Sequence, residues 1–157
     1  MQRKLIKSFI YLAGLLLTIT AIAKFISGVG RSSILQSPDP ILAVSFQHIF
    51  WIVGTVELAI ALFCFFGKPI DMQVGLVAFL ATNFVMYRVG LILVGYHKPC
   101  PCLGNLTDAL HISPQTADTA MKIILAYLLL GSYATLFWLW RQKRKIPPLT
   151  PPAESTV

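Results

Sequence analysis

In the stretch HKPCPCLG, residues 97–104, two of the chain's three cysteines stand one residue apart with Pro101 between them. Such a pair can ligate a metal, close a disulfide ring, exchange thiols or stand idle. A closed zinc site needs four ligands. His97 and His111 lie in the same loop, but the spacing matches none of the usual zinc patterns, so no metal is assigned. As a staple the pair does little, because closing a three-residue ring is worth only roughly 1.6 kcal/mol before strain is subtracted. Two extended steps span about 7 Å, just beyond the Cα separation that a disulfide accepts. A turn is therefore needed, and the fixed φ of Pro101 could supply one. Strained, exposed disulfides are readily exchanged, which favours the redox reading of Cys100 and Cys102. His97 and Lys98, beside the pair, would support thiolate formation.

A second set of residues is notable for where it falls. Lys24, Glu57 and Arg88 lie inside long apolar runs, and ionisable groups there are expensive to bury. Gln47, Phe50, Gly54, Glu57, Ala61 and Cys64 recur at helical spacing and share one face. Its small residues suit close helix packing, so Glu57 is expected to point inward, protonated or paired. By depth, Arg88 is the expected partner, with Asn83 and Gln47 completing a polar interior. Lys24, near the end of its run, either joins this interior or snorkels to the interface. His48 reads as a proton shuttle or an interfacial residue, and Cys64 as an apolar filler.

The elements that carry these residues are four apolar runs, at about 5–27, 41–66, 70–96 and 115–140. Each reaches the ~20 residues that a bilayer-crossing helix needs, and in lipid such runs must be helical. The chain is 56% hydrophobic and 12% charged, with mean hydropathy +0.73, whereas soluble domains carry about 25% charged residues. The expected fold is an all-α membrane protein, a four-transmembrane-helix bundle over 1–145, with a disordered, proline-rich tail over 146–157. Pro38 and Pro40 close the first loop, Gly67-Lys68-Pro69 makes a short second one, and Ser113-Pro114 reads as an N-cap with proline at the first helical position.

The net charge of +7 collects at the two ends, in MQRKLIK and RQKRK, rather than in a nucleic-acid-binding stripe. With both termini in the cytoplasm, that side holds Arg3, Lys4, Lys7, Lys68, Arg141, Lys143, Arg144 and Lys145, against Arg31 and Lys98 outside, plus Lys24 and Lys122 near helix ends. The positive-inside rule favours this N-in, C-in arrangement. It puts the Cys-Pro-Cys loop on the extracytoplasmic side, where disulfides persist. A basic start, an apolar run and Ala21-Ile22-Ala23 also fit a secretory signal with its cleavage site; the other three spans would survive cleavage.

The sequence resembles the MauE (methylamine utilisation) branch of the DoxX-like membrane proteins. The resemblance covers about residues 5–140 and rests on AIAKF at 21–25, VELAIAL at 56–62 and YRVGLILVGYHKPCPCLG at 87–104. Its most specific element is the Cys-x-Cys-x-Gly loop after the third helix. The chain departs from the family pattern at Pro101, where a small residue or glycine is usual, and at Leu103, where phenylalanine is. The resemblance implies an inner-membrane protein supporting disulfide formation in exported proteins, as in maturation of the disulfide-rich small subunit of methylamine dehydrogenase. The implied partner is a periplasmic thioredoxin-like protein or an exported disulfide-bearing protein. Cys100 and Cys102 would be the exchanging pair of a membrane thiol-disulfide oxidoreductase. Lys24, Glu57 and Arg88 would line the bundle near a quinone, by analogy with other four-helix thiol oxidoreductases. The competing readings are a non-catalytic assembly subunit of an export or respiratory complex, and a small transporter with Glu57 as its proton site.

Overall fold

The computed structural model describes residues 2–29, 39, 41–95 and 113–144. Four helices account for nearly all of them: α1 Gln2–Val29, α2 Phe46–Phe66, α3 Ile70–Leu93 and α4 Pro114–Arg144. All four are long and apolar enough to cross a membrane, and the described residues form no strand. The expected disordered tail, and the prolines expected to close the first loop, lie outside the described residues.

Three of the helices match the expected spans to within a few residues, but α2 starts later than its apolar run. Asp39 is the cause. Its Oδ1 accepts hydrogen bonds from the backbone N–H of Ile41 (2.8 Å) and of Leu42 (2.9 Å). Its backbone carbonyl accepts from Ala43 N–H at 3.0 Å. Ala43 itself sits at φ 54°, a left-handed conformation that a helix does not accommodate. The helix therefore begins only after Ser45, whose carbonyl accepts from His48 and Ile49. His48 is exposed there, with Nδ1 2.6 Å from the Ser45 hydroxyl.

At the opposite end, α2 and α3 are joined by residues 67–69 alone. The Gln73 side-chain amide donates to the carbonyls of Phe63 (3.0 Å), Cys64 (3.1 Å) and Gly67 (2.8 Å); the first also accepts from Gly67 N–H, and the others are carbonyls that a helix C-terminus leaves open. Gly67 has no room for a side chain, since a Cβ there would lie 2.4 Å from the Phe63 carbonyl oxygen. On α4, Thr116 N–H donates to Ser113 Oγ at 3.2 Å, so Ser113 caps the helix as its sequence position predicts.

Packing divides the bundle into two antiparallel hairpins. α1 lies along α2, with Gly14 against Cys64 near one end and the Gln47 amide on the Gly28 carbonyl (3.0 Å) near the other. α3 lies along α4, with the Thr82 and Tyr133 hydroxyls 3.0 Å apart and Lys143 2.5 Å from Asp71. The hairpins meet on a core that includes Ile10, Ala13, Leu17, Val74, Val77 and Leu128. Large apolar side chains such as Ile19, Ile26, Phe79, Met86 and Leu130 face outward, a surface suited to lipid rather than water.

Candidate functional site

α1 buries one stripe, in which Leu17, Ala21 and Lys24 follow at helical spacing. α2 turns Phe50, Gly54, Glu57, Ala61 and Cys64 inward, the face that the sequence spacing defines. The two stripes bring Lys24 against Glu57. Lys24 Nζ donates to both carboxylate oxygens, at 2.8 and 2.9 Å, and the residues are only 6% and 1% exposed. Lys24 thus turns into the bundle instead of snorkelling. The Phe84 ring centroid lies 5.6 Å from the ammonium, within cation–π range. Burying two charges costs several kcal/mol per ion, which a bidentate contact offsets only when the geometry is close.

The expectation that Arg88 is the partner of Glu57 is corrected. Arg88 Nη2 instead donates to Asp118 Oδ1 at 2.9 Å, and Lys122 Nζ lies 2.7 Å from Asp118 Oδ2. Depth along the membrane normal matched Arg88 to Glu57, but α3 packs on α4, whose Asp118 takes the guanidinium. Asp118 was therefore missed. The antiparallel α3–α4 hairpin and the Asp118/Lys122 spacing were the signals available for it. Asp39 was missed too: it is buried, and its Oδ2 accepts a hydrogen bond from the Tyr87 hydroxyl, tying the segment before α2 to α3. Cys64 is buried in the core.

The cavity has a volume of about 410 Å3 and is walled by all four helices, within the ~300–1,000 Å3 range of small-molecule sites. Its polar lining is confined to Thr20, Lys24, Glu57, Asn83, Tyr87 and Arg88; the rest is aliphatic and aromatic. The exchanging pair expected at Cys100 and Cys102, with His97 and Lys98, lies outside the described residues. Among the described residues no cluster of histidine, cysteine or carboxylate side chains could hold a metal ion.

These features define a class: an all-helical protein with four helices able to span a membrane, as expected for a multi-pass membrane protein, with an ion-paired polar interior. No family model, curated protein or solved structure matches the chain.

Proposed function

We propose that the chain is an inner-membrane protein of the MauE/DoxX-like kind that supports thiol-disulfide exchange in exported proteins. Both termini are cytoplasmic in this reading, and the Cys100-Pro101-Cys102 loop is extracytoplasmic. The observation that carries it is topological. In sequence the cysteines fall between α3 and α4, and the described ends of those helices that flank them, at Leu93 and Pro114, are opposite the bundle end that carries the basic residues Lys4, Lys7, Lys68, Arg141, Lys143 and Arg144. The Lys24–Glu57 and Arg88–Asp118 pairs lie toward that same α3–α4 junction.

The reaction begins with a thiolate of a reduced partner attacking the Cys100–Cys102 bond to give a mixed disulfide. The partner's second thiol then displaces the remaining chain cysteine. The partner leaves oxidised, and Cys100 and Cys102 each end as thiols, having taken up two electrons and two protons together. His97 and Lys98 stabilise the departing thiolate in this scheme. A quinone, when bound, would accept those electrons. The cavity's apolar walls and the buried ammonium of Lys24 fit a ring that carries carbonyl oxygens. A second reading, a non-catalytic assembly subunit, draws on the Lys24–Glu57 contact, which satisfies both charges as a packing device would.

Differential alkylation of membranes with and without reductant tests the exchange. The expected result is a mixed population of oxidised and reduced Cys100/Cys102, shifted by loss of the partner. If both stay free thiols and Cys100→Ser/Cys102→Ser leaves the phenotype unchanged, the exchange reading is lost and the assembly reading stands.

A further inference from the structure

The cavity opens toward the side of the bundle. Ile52 and Val56 of α2 and Phe79 and Asn83 of α3 line it and are also exposed, Ile52 to 62% and Phe79 to 67%. Its mouth among the described residues therefore includes the gap between the two hairpins, which faces the side of the bundle. Val56 and Phe79 fall near the middle of their helices, so the mouth opens at the depth of the acyl chains.

The interior constrains what can enter. Each charged lining group, Lys24, Glu57 and Arg88, already has an ionic partner. A charged head would bring uncompensated charge into apolar walls, at a high desolvation cost. Hydrogen bonding is nevertheless on offer. Lys24 has three N–H donors, two of them engaged by Glu57, and the third has no acceptor among the described residues. Asn83 donates its amide to the Phe79 carbonyl at 2.8 Å, leaving its own oxygen at the mouth.

We propose that this cavity binds an uncharged, single-chain amphiphile drawn sideways from the bilayer. A head oxygen accepts a hydrogen bond from Lys24, and the apolar chain leaves between Val56 and Phe79. A quinone is one member of this class, but the inference holds whether or not Cys100 and Cys102 exchange.

The test is photolabelling of the full chain in lipid nanodiscs with a long-chain alcohol bearing a mid-chain diazirine, mapped by mass spectrometry. Saturable labelling is expected at Ile52, Val56 and Phe79. The unlabelled alcohol should compete, whereas its trimethylammonium and sulfate counterparts and the headless alkane should not. Lys24→Met/Glu57→Leu, which removes the polar floor without leaving a lone charge, should reduce labelling at least tenfold. Val56→Trp, a change at an outward-facing position, should do the same by filling the mouth. Non-saturable labelling, equal labelling by the alkane probe, or labelling unchanged in the folded variants would overturn the proposal. The alkylation pattern of Cys100 and Cys102 is scored separately, so failure of one reading leaves the other readable.

Discussion

Lys24 and Glu57 are thirty-three residues apart in sequence, yet the lysine ammonium sits 2.8 and 2.9 Å from the two carboxylate oxygens. The contact crosses the α1–α2 interface with both side chains buried. It clamps the first hairpin and forms the charged floor of the cavity. Removing one partner strands the other charge in an apolar surrounding, whereas removing both strands none.

Lys24→Met alone should therefore destabilise the protein by about 3–5 kcal/mol. Lys24→Met/Glu57→Leu should return to within about 1 kcal/mol of the parent, since replacing a buried pair by apolar groups is often neutral. Thermal unfolding in detergent micelles, followed by circular dichroism, measures both. Equal losses in the single and double variants would show that the pair is not coupled.

Arg88 and Asp118 should couple α3 to α4. A hydrogen bond between charged groups is worth about 1.5–3 kcal/mol, so Asp118→Asn should cost that order of stability. A double-mutant cycle with Arg88→Gln should recover a coupling energy of at least about 1 kcal/mol. The same cycle run between Arg88 and Glu57 should give a value near zero.

At the α2–α3 junction, Gly67→Ala forces a methyl group toward the Phe63 carbonyl oxygen, 2.4 Å from the ideal Cβ position. A loss of about 1–3 kcal/mol is expected from the resulting backbone shift. Gln73→Leu should cost a similar amount, because it leaves the carbonyls of Cys64 and Gly67 without their side-chain donor, while Phe63 keeps the Gly67 N–H. Hydrogen exchange should show both losses first in the last turn of α2.

The signal-like start of the chain gives a further prediction. Ile10, Ala13, Leu17 and Ala21 of α1 are core residues, and cleavage after Ala23 would remove all four. Retention of α1 is expected, with the intact mass of the purified protein including residues 2–23. A mass corresponding to a chain beginning at Lys24 would contradict it.

Most of the architecture could be read from the sequence because hydrophobic length and helical spacing are local properties. The inward face of α2 followed from residue spacing, and the Ser113 cap from a short motif. The pairing of charges could not be read the same way. Depth along a helix identifies groups at the same level, but which of them meet depends on which helices pack together. Arg88 was matched to Glu57 on level alone, and the α3–α4 hairpin sends it to Asp118 instead. The start of α2 is a further case: ILAVS is apolar enough to continue the helix, but the left-handed backbone at Ala43 ends the short turn that Asp39 caps.

The Gln73 clasp has a mechanical corollary. Three bonds from one side chain stiffen the turn that joins the hairpins, while the lateral gap lies farther along the same pair of helices. Any widening of that gap works like the opening of a book, with residues 63–73 as the spine and α2 and α3 as its boards. A guest entering from the bilayer, as proposed, would spread the free edge and leave the bound edge still. The Asp39–Tyr87 bond, near that free edge, is the tie it would have to slacken.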